Sequence, residues 1–241
     1  MSLSSPKMTP RYYIWTIGCQ MNKAESEKLG SFLEQRGYQP AESAASADII
    51  VVNSCVVRDH AENRVINKIH TLKLLKKSRP GITLAVTGCL VDSNIKQLER
   101  DFPHIDYFLK PGDLPFWLDE AEYPVLNVRQ ASPRHSSANV FVPIIQGCDQ
   151  FCTYCIVPYR RGRERSRPLP EIVSEVRELA CRGVKEITLL GQNVDAYGHD
   201  LPEQTDLADL LETLNAVNGL ARLRFLTKHP KDMSLRLIET I

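Results

Sequence analysis

Cys148, Cys152 and Cys155 stand as C-x3-C-x2-C within Gly147-Cys148-Asp149-Gln150-Phe151-Cys152-Thr153-Tyr154-Cys155. Three thiolates this close together suit three irons of a [4Fe–4S] cluster and leave the fourth iron without a protein ligand. Electron-transfer clusters normally take four cysteines, so a set of three implies that another molecule binds the open iron. Structural zinc is the alternative. It fits less well, because zinc fingers pair cysteines as C-x2-C and no nearby histidine completes a tetrahedron.

A second set is dispersed in sequence but shares a local context. Residues 12–17, 49–52 and 84–87 are short apolar runs, followed by Gly18-Cys19, Asn53-Ser54-Cys55 and Gly88-Cys89. Each run reads as a buried parallel strand, and helical patterns separate them, which is the signature of β-α-β units. In such a sheet the strand C-termini share one edge, where ligands bind. Cys19, Cys55 and Cys89 are therefore expected to converge there as a second three-cysteine cluster. The competing reading is three small buried hydrophobes.

The elements that position these residues fall into two groups. Asn22-x-x-Glu25 resembles a capping box, and Gly37 suits a helix C-terminus. A long helix is expected over 59–77, with Val65, Ile69, Leu72 and Leu75 on one side. Residues 129–139 are polar and aperiodic and read as a linker between domains at 11–128 and 140–241. Beyond it, 140–145 is a strand entering the cysteine loop. Ile172, Val173, Val176, Leu179 and Ala180 form a helical stripe closed by Gly183. Strands follow at 187–190 and 223–226, around a helix carrying Leu207, Leu210, Leu211, Leu214 and Val217 and closed by Gly219. Met233, Leu237, Ile238 and Ile241 begin another helical stripe. Cys181 is expected to be structural.

Composition sets the outer bounds. A length of 241 residues with 43% hydrophobic content suits one large or two ordinary domains with a real core. No apolar run reaches the ~18 residues of a membrane span, and the N-terminus lacks a signal h-region. The seven cysteines are odd in number and clustered, which points to a reducing cytoplasm and not a disulfide scaffold. A net charge of +1 carries no nucleic-acid signal.

The C-x3-C-x-aromatic-C motif resembles the signature of the radical S-adenosylmethionine (SAM) superfamily. The resemblance implies that SAM chelates the open iron and is cleaved reductively, and that Tyr154 lies near its adenine. Core packing is the plainer role for Tyr154. Thr16-Ile17-Gly18-Cys19-Gln20-Met21-Asn22, Asn53-Ser54-Cys55, Thr87-Gly88-Cys89-Leu90, the run from Ile156 through Glu164 and Leu189-Leu190-Gly191-Gln192-Asn193-Val194 resemble the methylthiotransferase branch. That likeness implies an α/β protein: a Rossmann- or flavodoxin-like parallel sheet, followed by the first three β-α units of a partial TIM barrel. It also implies that the chain is a fragment, lacking the later barrel units and a TRAM domain. Two [4Fe–4S] clusters and SAM are the expected cofactors.

Within the branch, the motifs look most like the tRNA-directed members that add a methylthio group at position 2 of N6-isopentenyl adenosine beside the anticodon. Members acting on threonylcarbamoyl adenosine or on a ribosomal-protein aspartate are the alternatives. A non-catalytic iron–sulfur or zinc module is the non-enzyme alternative. Expected partners are a tRNA anticodon stem-loop, a flavodoxin- or ferredoxin-type electron donor and a sulfur donor, with the chain a monomer. Gly191, Gln192 and Asn193 occupy the position of the superfamily's SAM-amine motif, or else form an ordinary β-α turn. Arg160, Arg161, Arg163, Arg165 and Arg167 are RNA-phosphate candidates, or else a solvated or internally bridged loop. His229-Pro230 follows the third strand and is a weaker candidate for lining the site.

Overall fold

The β-branched runs form strands of parallel sheets in the computed structural model, which describes residues 9–91, 94–118, 139–226 and 229–241. The first unit runs β1 (Arg11–Thr16), α1 (Gln20–Gln35), β2 (Gln39–Pro40), β3 (Ile49–Ser54), α2 (Asp59–Ser78), β4 (Thr83–Gly88), α3 (Ile95–Asp101) and β5 (Tyr107–Phe108). Its five strands are all parallel, in the order β2-β1-β3-β4-β5. This is the flavodoxin-like order, whose ligand crevice lies at the β1/β3 switch point.

Strand periodicity separates the two apolar layers. Ile50 and Val52 of β3 join Val65, Ile69, Leu72, Leu84 and Val86 in one core. Ile49 and Val51 face the other way, against Leu29, Phe32 and Leu33 of α1. Each fully buried aliphatic side chain contributes about 1.5–3 kcal/mol. α1 ends as its glycine implies. Gly37 sits at φ 80°, with its N–H bonded to Glu34 O and that of Tyr38 to Leu33 O. Its start differs from the expected capping box. Cys19 occupies the N-cap without a side-chain cap bond, and Asn22 lies inside the first turn. Asn22 is fully buried, and its amide is drawn away to neighbouring strand ends.

The second unit runs β6 (Asn139–Pro143), β7 (Ile145–Gln146), α4 (Val157–Arg161), β8 (Arg165–Ser166), α5 (Leu169–Cys181), β9 (Glu186–Leu190), α6 (Leu207–Asn215), β10 (Arg222–Phe225) and α7 (Leu235–Thr240). β6, β9 and β10 form a parallel sheet in sequence order, as successive β-α units of a barrel do. α5 buries the expected stripe and stops at Gly183, φ 91°. Cys181 is exposed at its last turn. In α7, Leu237 is buried and Ile238 exposed, as is Ile241 directly after the helix. The β7–β8 pair is antiparallel and absent from the sequence expectation. It closes the base of the loop at 147–164, which carries the cysteine trio.

The chain divides into two compact units, Met1–Ala131 and Ser132–Ile241. The end of the expected first domain and linker residues 129–138 lie outside the described residues. No described helix is long and apolar enough to cross a membrane.

Candidate functional site

The first cysteine set is placed by sheet register. Thr16, Asn53 and Thr87 are aligned across β1, β3 and β4, and Ser54 pairs with Gly88. One residue further on, Cys55 lies beside Cys89, whose N–H donates to Ser54 O at 2.9 Å. A Cβ added at Gly18 would meet Cys55 Cβ at 2.8 Å, so the Gly18-Cys19 turn lies directly against Cys55. The three cysteines thus follow three adjacent strands at their C-terminal edge. Cys55 and Cys89 are buried and Cys19 is exposed. No disulfide joins any of the chain's seven cysteines.

Buried polar groups hold these turns together. Asn22 Nδ2 donates to Asn53 Oδ1 at 2.9 Å and to Ser54 O at 2.8 Å, with a longer contact to Ile17 O at 3.3 Å. Asn22 Oδ1 accepts from the Cys19 thiol at 3.2 Å. Asn53 Nδ2 returns a bond to Asn22 O at 2.9 Å. Gly88, at φ 88°, has no room for a Cβ, which would overlap the Ser54 carbonyl. The sequence signal for this network is Asn53, a polar residue directly after the apolar run Ile49-Ile50-Val51-Val52, whereas Asn22 sits among polar neighbours and gives none.

The second set lies on the loop closed by β7–β8. Gly147, φ 81°, packs where a Cβ would strike the Arg163 carbonyl, and its N–H donates to Gln192 Oε1 at 2.7 Å. Cys148 N–H donates to Gly162 O at 3.2 Å and Cys155 N–H to Cys152 O at 2.9 Å. Phe151, between the cysteines, is held at φ 47°, an uncommon conformation for a non-glycine residue. Burial pushes the Cys148 thiol above its ordinary pKa. Asp149 is held below the carboxylate range by the hydrogen-bonded Arg163 guanidinium, and burial holds Glu164 above it. Asp149 and Glu164 exchange backbone-to-carboxylate bonds at 3.0 and 3.1 Å, pinning the loop's two limbs together.

The other sequence candidates divide. Gln192 contacts the cysteine loop through Gly147. Gly191 is required by packing, since a Cβ there would overlap Ile145. Asn193 is buried, donates to Asp232 Oδ2 at 2.6 Å, and keeps its Oδ1 without a hydrogen-bond partner. Tyr154 is 89% exposed. Among the arginines, Arg163 pairs with Asp149 at 2.6 Å. Arg167 pairs with Glu175 at 2.6 Å and donates to Pro143 O at 2.7 Å. Arg161 is buried, Arg160 is half-buried and Arg165 is exposed. His229 reaches Cys152, with Nε2 at 3.7 Å from Sγ.

In chemical type, the three free thiols of each trio are the donors an iron–sulfur cluster takes. Each unit presents three cysteines at the C-terminal end of a parallel sheet, and the second adds an unpartnered buried acceptor, Asn193 Oδ1, suited to an ammonium group. Among the described residues, no three His, Cys, Asp or Glu side chains are grouped closely enough to hold one metal ion.

Residues 11–110 match a model described as uncharacterized protein family UPF0004, and residues 142–241 match the model of the radical SAM superfamily. The second unit is therefore similar to the radical SAM superfamily over residues 142–241. Over 232 residues it is 53% identical to a tRNA-2-methylthio-N(6)-dimethylallyladenosine synthase of Dehalococcoides mccartyi, which covers 96% of this chain and 54% of that relative. Proteins of the same name from Herpetosiphon aurantiacus and Clostridium botulinum are 48% and 42% identical, over 96% and 95% of this chain and 54% and 55% of those relatives. The chain spans about half the length of these curated relatives.

Proposed function

We propose that this chain is the cluster-bearing part of a tRNA methylthiotransferase. Its substrate is N6-isopentenyl adenosine beside the anticodon, methylthiolated at ring position 2. The observation that carries the reading is two separate cysteine trios, each at the C-terminal edge of its own parallel sheet. In this reading 11–128 is the methylthiotransferase domain, 129–139 a linker and 140–241 the radical SAM domain. Cys148, Cys152 and Cys155 hold one [4Fe–4S] cluster, and Cys19, Cys55 and Cys89 hold a second.

The target C–H bond has no acidity that a side chain of ordinary pKa could exploit. SAM bound at the first of these clusters supplies the one-electron chemistry that breaks such a bond. The chain's residues bind and orient. Asn193 Oδ1, buried and without a partner, would accept a hydrogen bond from the amine of bound SAM. Gln192 and Gly147 fix the cysteine loop against the end of β9. Tyr154 offers an exposed ring to a base or to adenine. Asn22 and Asn53 hold the strand-end turns that present the other trio. An unpaired loop base is splayed out at low cost. Arg165 and Arg160 meet phosphate. The protein works in the cytoplasm with a flavodoxin- or ferredoxin-type electron donor and a sulfur donor, as a monomer.

Anaerobic reconstitution tests this. Two clusters require about eight irons and eight sulfides per chain. Alanine at Cys19, Cys55 and Cys89 should halve that count. Introducing the same three changes into the full-length enzyme should leave SAM cleavage intact and abolish thiolation. Alanine at Cys148, Cys152 and Cys155 should abolish cleavage. About four irons in the unaltered chain, or equal loss of cleavage from both sets, would refute the division of labour.

A further inference from the structure

The turn after β10 reaches back to the cysteine loop at two points. His229 Nε2 lies 3.7 Å from Cys152 Sγ. The other ring nitrogen, Nδ1, accepts from Lys231 N–H at 3.3 Å. With Nδ1 acting as an acceptor, the neutral ring carries its proton on Nε2, facing the sulfur. Asp232 anchors the same turn. Its Oδ2 accepts from Gln150 Nε2 at 2.7 Å and from Asn193 Nδ2 at 2.6 Å, and its N–H donates to His229 O at 3.0 Å. Gln150 stands between Cys148 and Cys152, so the turn is fastened to the loop two residues before the sulfur that His229 meets.

We propose that His229 is a positioning residue that donates a hydrogen bond to the Cys152 thiolate and raises the reduction potential of the cluster on Cys148, Cys152 and Cys155. The inference rests on the reading of that trio as cluster ligands. Reduction adds negative charge that is shared with the ligating sulfurs. An N–H donor stabilises that charge, so the reduced state gains more than the oxidised one and the potential rises. Asp232 holds the donor in place and contributes no donor of its own to the sulfur.

The test uses the 241-residue chain with Cys19, Cys55 and Cys89 changed to alanine, so that one cluster remains. It is reconstituted anaerobically and titrated at controlled potentials, with the reduced cluster read by electron paramagnetic resonance. His229→Ala should keep its iron and lower the reduced-to-oxidised ratio at a fixed potential about tenfold, which is 59 mV for a one-electron couple. His229→Gln offers an amide N–H at similar reach and should restore most of the ratio. An unchanged ratio in His229→Ala overturns the proposal. So does an equal fall in both variants, since the donor would then be irrelevant, and so does loss of iron in both, which would make the residue a fold determinant. If the protein with His229 intact takes up no four-iron cluster, the ligand reading itself fails and the inference falls with it.

Discussion

Asn22→Ala removes the buried amide that joins the first trio's turns. In the native protein Asn22 Nδ2 satisfies Asn53 Oδ1 and Ser54 O, both buried. Ser54 O keeps a second partner, the Cys89 N–H, so its loss is partial and costs about 0.5–1.5 kcal/mol. Asn53 Oδ1 is left with its main donor gone, which costs about 1–3 kcal/mol. The bond from Asn53 Nδ2 to the Asn22 main chain survives. The sum is about 3 kcal/mol, from the side-chain amide alone. With a urea slope of about 1.5–2 kcal/mol/M, the first unit's midpoint should fall by about 1.5–2 M. Iron uptake should drop from about eight toward about four per chain, because the turns no longer present Cys19, Cys55 and Cys89 together. The control is Ser43→Ala, which alters an exposed Ser43–Ser46 contact and should shift stability by no more than about 0.5 kcal/mol. A midpoint within about 0.3 M of the native one, with full iron uptake, would refute the organising role given to Asn22.

Two further outcomes are expected. His104 donates from Nε2 to Ile69 O at 3.0 Å while its buried Nδ1 has no partner, and burial lowers its pKa, reinforced by Lys73 and His70 and opposed by the Ile69 bond and Asp106. The unfolded chain therefore takes up the proton first as pH falls below about 6.5, stability declines from there toward the lower folded pKa, and His104→Gln should flatten that part of the pH profile of urea midpoints. Arg165 is exposed, whereas Arg167 is committed to Glu175 and Pro143. Arg165→Ala should reduce the slope of log affinity against log salt for an anticodon stem-loop by about 0.7–0.9. Arg167→Ala should leave that slope unchanged and lower the melting temperature.

What was legible followed from period and punctuation. The β-branched runs announced β1, β3, β4 and β9 because a buried parallel strand needs apolar residues on both faces. Gly37 and Gly183 marked helix ends because positive φ is cheap only for glycine. The two-residue strands β2, β5, β7 and β8 carry no period and emerge only when a neighbouring strand supplies their register. Asn22 looked like a cap because its spacing to Glu25 matches one. The helix starts three residues earlier, with Cys19 at the cap, because the buried amide of Asn22 has acceptors at the strand ends. The arginine run looked like one phosphate patch. Arg163 and Arg167 find carboxylates through loop closure, at sequence separations of 14 and 8 residues that no local pattern reveals. The contacts from His229 and Asp232 to the cysteine loop span 77 and 82 residues and were the least accessible.

The register of the first sheet bears on which metal group the proposed site would take. Neighbouring parallel strands are about 4.8 Å apart, so β1 and β4, flanking β3, are about 9.6 Å apart at the backbone. A tetrahedral ion with ~2.3 Å metal–sulfur bonds requires its sulfurs about 3.8 Å from one another. A cubane cluster accepts them at about 6–7 Å. Cys55 and Cys89 each directly follow the last β3–β4 register pair, Ser54 and Gly88, but Cys19 approaches from the far side of β3, at the head of α1. Drawing all three onto one ion would pull the outer turns several ångströms inward. That movement would work against the Asn22–Asn53 bonds and against Gly88, which already lies hard against the Ser54 carbonyl. A cubane needs a much smaller approach, much of it available by rotation about the cysteine Cα–Cβ bonds. The same sheet geometry that separates the cysteines in sequence therefore spaces them for a cluster better than for a single zinc ion.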